Sequence, residues 1–310
     1  MASRYPVVVV AGPTASGKTR LGIQLAREFS GEILSCDALA VYRGMEIGTA
    51  KPTAQERAAV PHHLIDLRDP TDQFSAGDYE RLGRAVLEDL RRRDRLPFVV
   101  GGSGLYLRAL EHGLFEGPAR SEELRARMRR IAARRGPGCL HRALARVDPA
   151  SAARIAPADL PRIIRAYEVY MQSGEPLSSW HAHAPPRSEE FRWLKLALEV
   201  DRAVLYERID ARVGEMFAGG FVEEVRGLLE RFRTDAPGFK AIGYRQIVRL
   251  LEGSTALEDA IADTRRESRR YAKRQMTWFR ADPSFVWLRG TEDDRLEQAQ
   301  RSIRAFLETG

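Results

Sequence analysis

The sequence predicts an α/β fold: a parallel β-sheet flanked by helices, with an inserted all-helical domain. Three observations support this. Residues 7–10 are four consecutive valines, and such an apolar run is typical of a strand buried on both faces of a parallel sheet. Strand-like and helix-like segments alternate along the first part of the chain. Residues 117–186 are helical in pattern without a strand-like run, which indicates an insertion into the sheet domain.

The first part of the chain contains three predicted strands. The strand at residues 7–10 leads through a glycine-rich loop into an amphipathic helix. A second strand is expected at residues 32–36 and a third at residues 97–100, with a helix over residues 76–93 between them. This alternation predicts a doubly wound sheet whose ligand crevice lies at the carboxyl ends of the strands.

Strand character returns after the insertion. Residues 193–200 are expected to form a strand, helices follow to about Phe279, and residues 285–288 are expected to form the last strand. The core is therefore split around the insertion. The predicted domains are a first part of the core at residues 1–116, a helical insertion at residues 117–186, and a second part of the core with long helices at residues 187–310.

The composition is that of a folded globular protein. Of 310 residues, 44% are hydrophobic and 30% are charged, which argues against disordered, collagenous and membrane-embedded classes. The longest apolar stretches fall far short of the roughly 20 residues that a membrane-spanning helix needs. The amino terminus lacks the features of a secretory signal, and Cys36 and Cys139 fit free thiols in a reducing compartment. We therefore expect a cytoplasmic protein without a membrane partner.

The charge distribution indicates a polyanionic partner. The formal net charge is +7, and all but five of the 50 basic residues are arginines. Residues 119–146 contain nine arginines against two glutamates, and residues 262–280 contain seven basic residues against two acidic ones. Two such basic stretches on an otherwise mildly acidic chain are typical of proteins that bind nucleic acid. Two solvated helix faces in an arginine-rich protein would produce the same pattern.

A phosphate-binding loop, or P-loop, is predicted between the first strand and the first helix. Residues 12–19 read GPTASGKT and match the pattern G-x-x-x-x-G-K-T in the strand–loop–helix context that the pattern requires. The glycines let backbone N–H groups converge on phosphate oxygens, Lys18 adds a point charge, and Thr19 can hold Mg²⁺. The ligand could be a nucleotide such as ATP, a phosphorylated metabolite or an allylic pyrophosphate.

A strand-end carboxylate is the second candidate for chemistry. An ordinary P-loop ATPase needs an apolar strand that ends in a Mg²⁺-coordinating carboxylate, but the third strand ends in Gly101 and Gly102. The second strand ends in Asp37, which we expect beside the phosphate loop. A carboxylate at this place could act as a general base, bind Mg²⁺ indirectly, or cap a turn.

Several other motifs are expected to be structural. The pairs His62–His63 and His181/His183 lack companions at a recognisable ligand spacing, so we expect structural or loop histidines. Trp278 and Phe279 could stack on bases, but their helical spacing with other apolar residues favours the core.

Further blocks give the chain a family resemblance. The phosphate loop and the segment from Asp37 to Pro52 resemble those of the tRNA dimethylallyltransferases, also called tRNA isopentenyltransferases. Other blocks follow in the family's order, and together they span about residues 7–288. These blocks are HHLID (62–66), GGSGLY (101–106), RIIRAYEV (162–169), GYR (243–245) and RYAKRQMTWF (270–279).

The resemblance implies transfer of a dimethylallyl group from dimethylallyl pyrophosphate to the exocyclic amine of the adenosine just 3′ of the anticodon in certain tRNAs. It implies Asp37 as the catalytic base and Mg²⁺ near Thr19 as the cofactor. Proton acceptance by a carboxylate and clamping of the departing pyrophosphate suit this chemistry. The residues implied to bind pyrophosphate are Gly12, Thr14, Ala15, Ser16, Gly17, Lys18, Thr19 and Arg212.

The same resemblance implies a set of contacts with the tRNA anticodon stem-loop, part of it in the helical insertion. A monomer is also expected. The implied tRNA-binding residues are Asp37, Ala38, Leu39, Ala40, Ser103, Arg125, Pro161, Arg162, Ile163, Ile164, Arg165, Lys240, Gly243, Tyr244 and Arg245.

Departures from the family pattern fall among these contacts. Ala38 stands where Ser is common, Ala40 where Gln is frequent and Ser103 where Thr is usual. Ala158 replaces a usual Asn, and Pro161 occupies a place often held by Arg or Gln. We expect these changes to alter the recognition of the base and of the tRNA while the chemistry stays intact.

Two other function classes compete with this interpretation. A small-molecule or nucleoside kinase would use the same loop with ATP and would form an ATP-dependent product. A tRNA-binding paralogue without activity would keep the basic stretches and lose the catalytic base, but Lys18, Thr19 and Asp37 are all present.

Overall fold

A computed structural model describes residues 4–115, 117–182 and 190–309. The chain divides into two compact units, Met1–His112 with Ser188–Gly310 and Gly113–Arg187, which we name the sheet unit and the helical unit. The domain assignment made from the sequence, with tRNA binding given to the insertion, stays a prediction.

The sheet unit contains one six-stranded sheet in which all neighbouring strands are parallel. The strand order is β3-β2-β4-β1-β5-β6. Parallel strands need crossover connections, and helices supply most of them here. The predicted fold class is confirmed. The strands are β1 (Tyr5–Ala11), β2 (Glu32–Cys36), β3 (His62–His63), β4 (Pro97–Gly101), β5 (Phe191–Leu198) and β6 (Phe285–Leu288).

Helices make up most of the remaining described chain. In the sheet unit the first are α1 (Lys18–Glu28), α2 (Ala54–Ala59), α3 (Ala76–Arg92) and α4 (Gly104–His112). The helical unit contains α5 (Glu122–Arg135), α6 (Pro137–Val147), α7 (Pro149–Arg154), α8 (Leu160–Ser173) and α9 (Leu177–Ala182). The sheet unit continues with α10 (Arg202–Ala218), α11 (Phe221–Leu229), a 3₁₀ turn (Pro237–Lys240), α12 (Tyr244–Leu251), α13 (Leu257–Arg280) and α14 (Glu292–Glu308).

The four valines of β1 explain the layering of the sheet unit. Val7 and Val9 belong to an apolar cluster that includes Tyr79 and Leu87 of α3. Val8 and Val10 point to the opposite face and belong to a cluster with residues of α1 and α14. Successive side chains of a strand alternate between faces, so a strand covered on both sides needs an unbroken apolar run. The prediction of a doubly buried first strand is confirmed.

The helical unit has a core of its own and one buried carboxylate. Glu168 of α8 is fully buried and accepts hydrogen bonds from Arg125 Nε and Nη2 and from Arg165 Nη1, each at 2.8 Å. It also accepts the Ser121 N–H at 2.8 Å, just before α5. Burial alone would raise the pKa of Glu168, but the hydrogen bonds from the two arginines lower it to about 2. This ionised carboxylate ties the start of α5 to α8.

Within the described ranges, none of the helices combines the length and the apolar character that a membrane crossing requires.

Candidate active site

The phosphate loop connects β1 to α1 through a backbone conformation that only some residues tolerate. Gly17 has φ +91° and Ala15 has φ +61°, both in the left-handed region. The loop is closed by the Ser16 N–H, which donates to the Pro13 carbonyl at 3.3 Å, and by Lys18 Nζ, which donates to the same oxygen at 3.2 Å. The Lys18 ammonium is therefore held over the loop at the beginning of α1.

A glutamine from the long helix α13 braces this loop. The Thr14 N–H donates to Gln275 Oε1 at 2.9 Å, and Gln275 Nε2 donates to the Gly102 carbonyl at 2.9 Å. Gln275 is buried, so its amide has few competing partners in water. The sequence analysis missed this residue. Its signal was a polar residue on the same buried helix face as Ala272, Met276 and Phe279.

Asp37 follows β2, and β2 does not neighbour the strand that carries the phosphate loop. The observed order places β4 between β2 and β1, so Asp37 and the phosphate loop belong to strands that are not neighbours, and they meet in the cavity described below. The end of β4 is Gly101 followed by Gly102. A Cβ on Gly101 would lie 2.0 Å from the Cys36 carbonyl oxygen, and one on Gly102 would lie 2.1 Å from Gln275 Nε2. The two glycines allow the close packing at the ends of these strands.

The Asp37 carboxylate is half engaged. Its Oδ1 accepts the Leu39 N–H at 2.8 Å, which fixes the turn after β2. Within the part of the chain that the structure describes, Oδ2 accepts no hydrogen bond, and the side chain is half-buried. The carboxylate thus caps a turn with one oxygen, and Asp37 lines the cavity described next.

One cavity of about 470 Å³ in the sheet unit is lined by the phosphate loop, Asp37 and Arg212 together. It opens above the carboxyl ends of the strands, where doubly wound sheets bind their ligands. Several predicted residues line it, from the phosphate loop and the start of α1, the turn after β2, α10, the 3₁₀ turn and the start of α12. These are Thr14, Lys18, Thr19, Asp37, Ala38, Leu39, Ala40, Arg212, Lys240 and Arg245. Ala15, Ser16 and Gly17 line an adjoining opening together with Lys18, Thr19 and Arg212, and Gly12 packs against Ser16.

Two cations in this cavity are poorly solvated. Burial lowers the pKa of Lys18 to about 8; Asp37 opposes this effect, and the neighbouring Arg212 adds to it. Burial likewise lowers the pKa of Arg212, and Asp37 and Glu215 oppose the shift. Two desolvated cations that lie close together form a favourable site for an anion with more than one charge.

Glu224 was missed by the sequence analysis and holds the loop that follows Asp37. Its carboxylate accepts the Glu46 N–H at 3.0 Å and the Ile47 N–H at 2.6 Å. It also accepts the Tyr244 hydroxyl at 2.6 Å. This bonding fixes the segment that enters the cavity wall at Gly48. No local pattern could have revealed it, because Glu224 lies far along the chain from the loop it binds.

Three predicted tRNA-binding residues of the sheet unit, Ser103, Gly243 and Tyr244, lie outside the cavity lining and are positioned by contacts within the protein. Tyr244 is fully buried with its hydroxyl on Glu224, and Gly243 precedes it with φ +89°. Ser103 lies at the junction of β4 and α4, where its N–H donates to the Cys36 carbonyl at 3.0 Å. None of the three lines the cavity, and their contact with tRNA stays a prediction.

The predicted tRNA-binding residues of the helical unit differ in their exposure and in their pairing. Ile163 and Ile164 are buried in the core of that unit. Arg125 and Arg165 bind Glu168, so their charges are already paired. By contrast, Arg162 has 74% of its side chain exposed beside Asp159.

Pro161 stands in the first turn of α8 and is exposed. The N–H that proline lacks has no partner within a helix at this position, so the helix tolerates the departure from the family pattern. What is lost is a polar side chain on an exposed turn.

The remaining motifs make local contacts, and His62 also lines the cavity. His62 Nδ1 lies 2.7 Å from the Val60 carbonyl, and His63 Nε2 lies 2.7 Å from Glu32. Phe279 is buried, and the Trp278 ring packs against Gly104, so the expected core position of this pair is confirmed. The His181 ring meets Phe115 edge-on, and His183 lies outside the described residues.

The chain is similar to known proteins over nearly its whole length. The chain is 50% identical over 287 residues to the tRNA dimethylallyltransferase of Koribacter versatilis, covering 92% of this chain and 93% of the relative. It is 48% identical over 290 residues to the tRNA dimethylallyltransferase of Myxococcus xanthus, covering 93% of each chain.

Solved structures are similar as well. The full-length tRNA isopentenylpyrophosphate transferase of Bacillus halodurans matches with a TM-score of 0.74 and 38% identity, over 99% of this chain and 98% of that one. A eukaryotic dimethylallyltransferase acting on tRNA matches with a TM-score of 0.79 and 28% identity, over 98% and 80%. A family model described as IPP transferase matches residues 40–282, and the chain therefore belongs to the IPP transferase family.

Proposed function

We propose that this protein is a tRNA dimethylallyltransferase. It transfers the dimethylallyl group of dimethylallyl pyrophosphate to the exocyclic amine of the adenosine 3′ of the anticodon and releases pyrophosphate. The observation that carries the proposal is one cavity in which Lys18 and Arg212 share the lining with Asp37. The family membership of the chain and the names of its relatives support the same reaction.

The cationic side of the cavity binds the leaving group. As the bond between the allylic carbon and the pyrophosphate oxygen breaks, the electron pair leaves with the pyrophosphate, and the allylic carbon becomes cation-like. The loop N–H groups, Lys18 and Arg212 stabilise the negative charge that develops on the leaving oxygen. The loop thus acts on pyrophosphate and needs no hydrolysis of ATP.

The acidic side of the cavity receives a proton. The exocyclic amine is a weak nucleophile because its lone pair is delocalised into the purine. When its nitrogen bonds to the allylic carbon, one N–H proton must leave, and Asp37 Oδ2 is the free carboxylate oxygen that accepts it. The base must leave its stack to reach this depth.

The site suits Mg²⁺ bound together with the substrate. Thr19 contributes a hydroxyl to the cavity, and this oxygen would hold the ion. Mg²⁺ commonly takes one or two protein oxygens and completes its shell with water and substrate phosphates. When bound there, it would neutralise charge on the departing pyrophosphate.

The helical unit supplies charge for tRNA. Arg127, Arg130 and Arg134 of α5 are spaced three and four residues apart and therefore share one face of the helix. They and Arg135 are exposed and lack an acidic partner among the described residues. We assign this face to the phosphates of the tRNA, and we place the protein in the cytoplasm as a monomer.

A kinase with the same loop is the competing function, and the product distinguishes the two. The purified protein, incubated with unmodified tRNA, dimethylallyl pyrophosphate and Mg²⁺, is expected to form isopentenyladenosine next to the anticodon without ATP. Mass analysis of the nucleosides after digestion measures the product. A product that forms only with ATP would establish the kinase instead.

Asp37→Asn keeps the shape of the side chain and its turn-capping oxygen but removes the base. We expect the single-turnover rate to fall by about two to four orders of magnitude, with little change in tRNA affinity. Asp235→Asn removes an exposed carboxylate paired with Arg233 and serves as the control. An unchanged rate in Asp37→Asn would exclude this residue as the base.

The pKa of Lys18 predicts a pH dependence for pyrophosphate binding. Because burial lowers the pKa to about 8 in the free protein, Lys18 is charged below that pH and loses its charge above it. Affinity for pyrophosphate should therefore weaken as the pH rises from about 8, by up to about tenfold per pH unit. Calorimetric titration of the parent and of Lys18→Ala separates this effect from the titration of pyrophosphate itself. Parallel pH profiles for the two proteins would contradict it.

The α5 face is tested by replacing Arg127, Arg130, Arg134 and Arg135 with Gln. We expect weaker tRNA binding and a slope of log affinity against log salt that is flatter by roughly 0.7 to 0.9 for each lost phosphate contact. The control removes four exposed arginines of the sheet unit, Arg27, Arg231, Arg249 and Arg301. Equal behaviour of the two variants would assign the effect to net charge alone.

A further inference from the structure

A second cavity in the sheet unit lies outside the chemistry described above. Its volume is about 850 Å³, and it is formed by the start of α10, the last turns of α13 and the segments that follow β5 and β6. Both segments begin at carboxyl ends of strands, so the cavity belongs to the same edge of the sheet as the phosphate loop. Nothing in the proposed reaction uses it.

The lining of this second cavity is strongly cationic. Six basic side chains line it against two carboxylates, which leaves a net charge of +4. The six are Arg202, Arg208, Lys273, Arg280, Arg289 and Arg295.

Both carboxylates of the lining are already committed. Asp201 caps α10 by accepting the Ala203 N–H at 2.8 Å and the Val204 N–H at 3.3 Å. Glu199 binds Arg289 at 2.6 Å and lies 3.9 Å from Arg280. Among the described residues, Arg202, Arg208 and Lys273 therefore have no acidic partner.

Arg295 is the one buried side chain among these six cations. It is 9% exposed, its Nη2 donates to the Glu199 carbonyl at 2.7 Å, and its Nε has no hydrogen-bond partner in the described part of the chain. Burial and the neighbouring Arg208 lower its pKa, while the Glu292 and Asp294 carboxylates oppose the shift. A buried guanidinium that makes no ion pair among the described residues and lies next to a second guanidinium is costly unless an anion joins them.

The type of anion follows from the donors and from the ring beside them. Guanidinium groups match phosphate oxygens in a two-point geometry, and several of them around one cavity suit an anion with several phosphate groups. The Tyr206 ring in the lining already carries Arg202 at 5.2 Å and Arg269 at 5.5 Å from its centroid. This ring already contacts two guanidinium groups, and the charged lining around it suits phosphate groups.

We propose that this cavity is a second phosphate site, which binds an oligophosphate anion independently of the phosphate loop. Two sources share this chemistry: consecutive phosphates of an RNA backbone and a free polyphosphate. Assignment to RNA rests on the proposed function, because that function makes tRNA the substrate. Binding of a free polyphosphate does not depend on it.

The helices α10 and α13 separate the two sites and contribute to both. Arg274 and Tyr271 of α13 line the catalytic cavity, whereas Lys273 and Thr277 line the second one. In α10, Arg212 lines the first and Arg208 the second, one helical turn apart. Variants of Arg208 and Lys273 can thus alter the second site while the catalytic side chains stay unchanged.

The test uses Arg208→Gln/Lys273→Gln in a Lys18→Ala background, where the phosphate loop is already weakened. The probes are inorganic tripolyphosphate, followed by calorimetry, and an anticodon stem-loop RNA, titrated at several salt concentrations. The control in the same background is Arg249→Gln/Arg301→Gln, which removes the same charge from exposed positions outside both cavities. Thermal unfolding checks that all variants remain folded.

We expect the cavity variant to bind at least one probe about tenfold more weakly than the control. A loss confined to tripolyphosphate identifies a free polyphosphate as the ligand. A loss of RNA affinity, with a salt slope flatter by roughly 0.7 to 0.9 for each lost contact, identifies RNA phosphates. If neither probe distinguishes the cavity variant from the control, the site does not exist. Failure of the proposed function would appear separately, as absence of isopentenyladenosine with the parent protein.

Discussion

The parallel pairing of β1 with β4 on one side and β5 on the other is the constraint on which the active site depends. Parallel strands bring their carboxyl ends to one edge, so the loops that follow them meet there whatever their distance along the chain. The phosphate loop, Gly102 and Asp37 all follow strands at this edge. The side chains at the edge could be replaced one at a time, but a change in strand order would separate all of them.

The glycines at the end of β4 show how this constraint decides the chemistry. An ATPase of this fold would place a metal-binding carboxylate at such a strand end. Here a side chain at Gly101 would collide with the backbone of β2, so the carboxylate stands one strand away, at Asp37. The cavity between Lys18 and Asp37 can then hold an anion and a nucleophile together. Gln275 holds the phosphate loop and the end of β4 together, because its side-chain amide hydrogen-bonds to Thr14 and to Gly102.

The electrostatics of the cavity are arranged before any ligand binds. Burial lowers the pKa values of Lys18 and Arg212, and the Lys18 ammonium is also disfavoured by the nearby guanidinium. In the proposed reaction, a bound pyrophosphate would relieve this repulsion, so the strain of the free state would favour stabilisation of the leaving group. Glu224 also holds the cavity in place before a ligand binds, because its carboxylate accepts the backbone N–H groups of residues 46–48 in the cavity wall.

The sequence predicted those features that are written in local patterns. The valine run, the phosphate loop and the strand ending at Asp37 each depend on a few consecutive residues, and all three form as expected. The strand order could not be predicted, because pairing of β2 with β4 joins segments more than sixty residues apart. Gln275 and Glu224 escaped for the same reason: their partners lie 261 and 177 positions away, at Thr14 and Ile47. The two-residue strand β3 is too short to leave a periodic signal.

The net charge of a stretch of sequence does not show which of its arginines are neutralised by a carboxylate in the fold. Arg125 belongs to the stretch with a net charge of +7, yet its guanidinium neutralises Glu168, which lies outside that stretch. Arg120 and Arg129 lie beside Glu122. The arginines left exposed and without an acidic partner among the described residues are Arg127, Arg130, Arg134, Arg135, Arg142 and Arg146. Arg125 ties two helices of the unit together through Glu168, whereas the unpaired arginines leave a positive surface, so pairing with a carboxylate separates two roles of the same residue type.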